Sequence, residues 1–335
     1  MGEASDDLPW TDSRLDEEVE RAIAKLVSAR EGDRGVIATV ACGTRAVPAL
    51  RAVLFEWESS GLYEPRRRAV EALASLRAYD TLIEYLQHPR EVGDPVQRTG
   101  EDAVINAAAR AIAESTDERV VPLLFELSRG NPLAGVVEAL GKLYQIRALP
   151  YFIAALAEDF TRPAAEFAIR KLGGQTRDNL LDAAGPASSG DERESVSSRR
   201  KRRSALKLFA ELGPAPTRHW ARLDALLDDE ETSVAVVACD ICLGHGSAAG
   251  KRVAVRRLLE LIDKADWLLV REIEDSLVAH FDAARPLIEI ALQNTATEAD
   301  SRFVETGIAR ALRRVMARID QRAKSLGNHI RHGID

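Results

Sequence analysis

One phrase recurs along the chain, and a chain that repeats one phrase buries its apolar side chains by stacking the copies. The phrase is an apolar helix end, a short turn, and a new helix with a proline in its first turns. It reads ALASLRAYDTLIEYL at 72–86, AIAESTDERVVPLLFEL at 111–127 and ALGKLYQIRALPYFIAAL at 139–156. Looser copies stand at 168–184, 208–227 and 276–292, and IATVACGTRAVPALRAVL at 37–54 makes a first member. Starting from Ala72, the equivalent positions are Ala111, Ala139, Ala168, Leu208, Asp240 and Ser276. Their spacing is uneven, which a stack tolerates because each copy touches only its neighbours.

Each copy resolves into two helices. The first carries the proline (Pro48, Pro122, Pro150, Pro286), tolerated where first-turn amides have no intrahelical partner to lose. The second alternates small and large residues, as in AVEAL (69–73), AARAI (108–112), VVEAL (136–140) and AEFAI (165–169), so that neighbouring helices approach closely. Leu172–Gly173, Leu212–Gly213 and Leu243–Gly244 read as helix ends with glycine in a left-handed C-cap. Aromatic residues are only 5% of the chain, so the core is expected to be many thin aliphatic layers.

These features resemble the HEAT-like repeat family, in the short bacterial form first noted in phycobilisome lyases. EPRRRAVEAL (64–73) and EDAVINAAARAI (101–112) carry the resemblance best, and it covers roughly residues 14–320. It implies an all-α, armadillo-like fold: a right-handed α-solenoid, or superhelix, of about nine antiparallel helix pairs, with the second helices lining a concave surface. The expected organisation is an acidic disordered tail at 1–12, the solenoid at 13–320 and a frayed tail at 321–335. A helix start is expected at Asp12 or Ser13, and a mobile serine-rich loop at 186–198.

Several function classes are disfavoured. The opening MGEASDDLPWTD lacks a basic and an apolar region, so no signal peptide is expected, and Asp6 breaks the myristoylation pattern. No apolar run approaches the roughly 18 residues of a membrane span. Three cysteines suit a reducing compartment, and the expected location is the cytoplasm. A net charge of -7 argues against a dedicated nucleic-acid binder.

Motifs that imitate chemistry are weak here. GHGSAAG (244–250) satisfies a dinucleotide-binding pattern, but the repeat register places Gly244 at a helix end. Cys239, Cys242 and His245 have metal-ligand spacing without a fourth ligand, and His329 and His332 stand in the tail. No metal or cofactor is expected. Asp266 and Trp267 offer the carboxylate and aromatic of a helical-repeat DNA glycosylase, though in an acidic repeat.

The strongest charge feature is Arg199, Arg200, Lys201, Arg202 and Arg203, with Lys207 behind it. Arginines opening a helix oppose its macrodipole, which leaves the run without a stability rationale and points to a partner. The second-helix stretches are together basic on an otherwise acidic chain. The expected function is therefore a non-catalytic scaffold binding a protein or peptide, acidic in character, along the concave face. The expected contacts are Arg66, Arg67, Arg68, Arg170, Lys171, Arg199, Arg200, Lys201, Arg202, Arg203 and Lys207. Reversing charge at 199–203 is expected to weaken binding and leave the array folded. The alternative is a DNA or RNA phosphate-backbone binder, or a glycosylase-like enzyme.

Overall fold

The computed structural model describes residues 10–56, 63–186, 194–299 and 307–332. Every regular element among them is helical, and the helices pair in chain order. The pairs are α1 (Trp10–Val27) with α2 (Gly32–Ala41), α3 (Val47–Glu56) with α4 (Glu64–Ser75) and α5 (Tyr79–Gln87) with α6 (Pro95–Ile112). Next come α7 (Val120–Leu127) with α8 (Ala134–Lys142) and α9 (Leu149–Ala155) with α10 (Arg162–Leu172). These form one compact unit, which ends at Leu172.

A second unit starts at Gly173. It holds α11 (Arg177–Ala184) with α12 (Val196–Glu211), α13 (Trp220–Leu227) with α14 (Thr232–His245), α15 (Ala248–Leu261) with α16 (Trp267–Ala279), and α17 (Phe281–Ala299) with α18 (Gly307–His332). Each unit is an all-α stack of helix pairs, consistent with the expected solenoid. No helix among the described residues is long and apolar enough to cross a membrane.

Within each unit the second helices pack on their successors: α4 on α6, α6 on α8 and α8 on α10, then α12 on α14, α14 on α16 and α16 on α18. The first helices form the other layer, with α3 on α5, α5 on α7, α13 on α15 and α15 on α17. Between the layers lie thin aliphatic sheets. Leu82, Ile83 and Leu86 of α5 and Val104, Ala108 and Ile112 of α6, the helix it packs on, are all buried. Each fully buried Leu or Ile contributes about 1.5–3 kcal/mol relative to exposure. Close approach needs small residues: a Cβ on Gly135 of α8 would stand 2.1 Å from the Asn106 carbonyl oxygen of α6.

Among the described residues, five of the turns out of second helices share one geometry. Positive φ follows α2 at Gly43, α10 at Gly173 and α12 at Gly213, as Leu-Gly foretells for the last two. The same slot after α4 and α8 holds Arg77 (φ 55°) and Tyr144 (φ 54°). Both close a Schellman motif. Ala78 N–H donates to Leu73 O at 2.9 Å and Arg77 N–H to Ala74 O at 3.0 Å, while Gln145 N–H donates to Leu140 O at 3.0 Å. Gly244 differs from expectation, because α14 runs on through His245 and carries it inside the helix.

Four other boundaries differ. α1 already begins at Trp10, ahead of the expected Asp12 or Ser13 cap, and α18 continues as helix to His332 where a frayed tail is expected. α17 starts at Phe281, so Pro286 lies past its first turn. Val196 opens α12 with Ser195 as N-cap, so the expected loop at 186–198 ends inside a helix, and residues 187–193 lie outside the described ones.

At Gly213 an added Cβ meets nothing within 4 Å, so Gly213→Ala tests the backbone alone. It should lower unfolding free energy by about 1 kcal/mol, and Arg77→Gly should raise it. Urea unfolding followed by circular dichroism checks both signs.

Candidate partner-binding face

Two second helices, α4 and α12, carry arginine runs in their first turns, and the helical period sends consecutive arginines in different directions. Arg66 points inward and is 5% exposed. Its Nε donates to Leu54 O at the end of α3 at 2.9 Å, and both Nη atoms pair with the Glu101 carboxylate on α6. The Tyr85 hydroxyl donates to Glu101 Oε1 at 2.6 Å and the Arg90 amide at 3.2 Å. Burial alone would raise the Glu101 carboxyl, but the hydrogen bonds from Arg66 and Tyr85 outweigh it and hold it below the usual range. Burial and the Glu101 charge push the Tyr85 phenol well up, so it stays a donor.

Arg202 repeats this arrangement in the second unit and is 3% exposed. Its Nε donates to Ala184 O at the end of α11 at 3.0 Å, one Nη to Glu194 at 2.8 Å, and the other pairs with Asp229. Arg66 and Arg202 therefore leave the expected binding face, since each is fully engaged in the interior. Arg68 also turns in, with Nη1 donating to Ser28 O at 3.2 Å beyond the end of α1. The basic run has the stability rationale that it lacks when read in one dimension.

The remaining expected residues stay at the surface, most with carboxylate partners. Arg67 pairs with Glu64 and Glu71 along its own helix. Arg170 pairs with Glu166 in the same way. Arg199 reaches Glu231, the N-cap of α14, at 3.2 Å. Arg203 reaches Glu272 on α16 at 2.5 Å, with Lys207 3.7 Å from the same carboxylate. Arg200 and Lys201 are half-buried on α12. Lys171 lies against aromatic rings: its Nζ is 4.4 Å from the Tyr144 ring centroid and 5.7 Å from that of Phe167.

The setting of the α12 run is acidic. A cavity of about 1010 Å³ beside it is lined by Arg199, Arg202 and Arg222 against Glu194, Asp228, Asp229, Glu230 and Glu231. Farther along, Arg314 and Arg318 of α18 answer Glu274 and Asp275 of α16, below the 78% exposed Trp267.

The motifs that imitate chemistry dissolve in this geometry. Burial pushes the Cys239 thiol up to about 12 and raises that of Cys242, so both pack as neutral side chains, while His245 is exposed. GHGSAAG spans the end of α14 and the start of α15, where the Ser247 hydroxyl accepts from Gly250 N–H as an ordinary N-cap. The Asp266 carboxylate caps α16, accepting from Leu268 and Leu269 N–H at 3.0 and 2.9 Å.

One cluster is assembled only in space. The buried Ser276 donates to Asp240 Oδ1 at 2.6 Å, and His280 Nε2 stands 3.7 Å from the same oxygen. His280 and Ser276 hold the Asp240 carboxyl below its ordinary range. The serine bonds to the carboxylate and not to the imidazole. The signal was present in the repeat register, where Asp240 and Ser276 occupy positions held by alanine in four other copies.

A search against family models finds no match, and none is found among curated proteins. Among solved structures the chain is similar to the complex of CpcE and CpcF of phycocyanin lyase from Nostoc sp. PCC7120. The likeness is 21% identity over 79% of this chain and 94% of that one, with a TM-score of 0.33, too low to bear on function.

Arg202→Ala should cost about 3–5 kcal/mol, because it strands buried carboxylates, whereas Arg67→Ala should leave the melting temperature unchanged. Glu101 supplies a pH test. Its folded pKa lies below its ordinary 4.5, so its contribution is complete above that value and is lost as pH falls through the folded one. Acid titration of unfolding free energy should show a smaller drop in Glu101→Gln than in the parent.

Proposed function

We propose that this chain is a non-catalytic scaffold that holds a protein or peptide partner along the face made by its second helices, in the cytoplasm. The observation that carries this reading is charge balance between the second helices of each unit. Arg110 of α6 pairs with Glu138 of α8, and Lys142 of α8 with Glu114 just past α6. In the second unit Arg199 meets Glu231, Arg203 meets Glu272, and Arg314 meets Glu274. Apart from Arg314, whose partner Glu274 is buried, these pairs lie toward the surface and add little stability, yet they fix long side chains in defined places and leave a surface of mixed sign. Mixed, positioned charge with exposed aromatics suits a protein surface.

A phosphate backbone asks for the opposite, a row of cations free to release counterions. Arg199, Arg203 and Lys207 are held by carboxylates, and the adjoining cavity is acid-rich, which weighs against DNA or RNA. The glycosylase-like alternative would need the Asp266 carboxylate, which is committed to capping α16.

The test is capture from native lysate on the immobilised full chain at low and high salt, with protein and nucleic acid both identified. A discrete protein retained at both salts, and captured less by R199E/K207E at an unchanged melting temperature, is the expected result. Nucleic acid alone, released at high salt, would overturn the reading. The double variant leaves Arg202 in place, since reversing that residue would unfold the second unit.

A further inference from the structure

Tyr144 stands in a slot that folding alone would give to glycine. It follows α8 at φ 54° and closes a Schellman motif, its N–H donating to Gly141 O at 3.2 Å. The next second helix, α10, fills the same slot with Gly173. A Cβ in the left-handed region is disfavoured, and the tyrosine ring recovers little by burial, being 61% exposed. Phe167, on α10, is likewise 60% exposed. Lys171, one helical turn beyond Phe167, lies 4.4 Å from the Tyr144 ring centroid and 5.7 Å from that of Phe167.

The charges around this trio decide what it fits. Arg110 has Glu138, Lys142 has Glu114 and Arg170 has Glu166. Lys171 faces rings and meets no carboxylate among the described residues. One local positive charge is thus left beside two exposed aromatic faces, while Arg110, Lys142 and Arg170 nearby are matched and Arg147 lies over the Phe125 ring. A chain of phosphates would also meet Glu114, Glu138 and Glu166, whereas a single carboxylate can reach Lys171 alone.

Resting on the scaffold reading, we propose that Tyr144, Phe167 and Lys171 form a docking site for a partner's peptide segment that carries a carboxylate beside an apolar side chain. The ammonium takes the carboxylate, and the two rings take the apolar group. Exposed aromatics with an adjacent cation are the composition of an interface hot spot, and the left-handed turn holds the Tyr144 ring out at the helix end.

The experiment is selection of short random displayed peptides on the full chain, followed by anisotropy titration of one fluorescein-labelled selected peptide. Selected peptides should share Asp or Glu next to Leu, Phe or Tyr. K171Q and F167A should each bind the labelled peptide about tenfold more weakly. Tyr144→Gly should bind as weakly while unfolding at a higher temperature than the parent, because glycine relieves the turn. A lower melting temperature for Tyr144→Gly would show that the ring serves packing, and would overturn the proposal. So would selected peptides without acids, failure to select any, or displacement of the peptide by a mixed-sequence single-stranded oligonucleotide. R199E/K207E lies in the other unit and should bind the peptide as the parent does. Failure here with protein capture intact discards this site only; capture of nucleic acid alone discards the scaffold reading as well.

Discussion

The stack depends on arginine side chains closing the carboxyl ends of helices. Many helices here are short, α9 and α11 among them, and helices of such length do not hold together alone in water. Every end turned toward a neighbour leaves carbonyls without intrahelical partners, at the negative pole of the helix. Guanidinium groups from other helices supply both donor and charge. Arg66 donates to Leu54 O, Arg202 to Ala184 O, Arg257 to Leu227 O, and Arg177 to Pro214 O just past α12. Arg66 and Arg202 also reach a carboxylate belonging to the following pair, so one side chain seals a helix and fixes the next repeat against it. Removing such a residue leaves a buried acid and an open helix end together.

That double use explains what the sequence disclosed and what it concealed. The order of helices, their pairing and the stretches forming the second layer follow from apolar spacing, because burial on one face imposes the helical period. Gly173 and Gly213 mark their turns because only glycine adopts positive φ without penalty. The site residues were harder to place, since a run of like charges on paper looks like one patch. On a helix, neighbours in sequence are about 100° apart, so Arg199 and Arg203 share a side while Arg202 turns into the core. Arg66, Arg67 and Arg68 diverge in the same way. Gly244 misled for a related reason: α14 continues one residue past it, although Leu-Gly marks the end at two other helices.

Two polar residues in the alanine register carried information of another kind. Asp240 and Ser276 belong to successive copies, and they bond to each other across α14 and α16. A departure from the repeat that occurs in one copy is drift as far as sequence can tell. The same departure in adjacent copies is readable as a contact, because the stack brings equivalent positions together.

The left-handed turn after the second helices has a consequence for how such a chain can diversify. Its hydrogen bonds are made by the backbone, so the residue occupying it is replaceable without repacking the layers, at a fixed conformational penalty. Glycine, arginine and tyrosine all occupy it here. The turns therefore act as interchangeable sockets along one edge of each unit, and new side chains can be tried there one repeat at a time while the core beneath is left as it was.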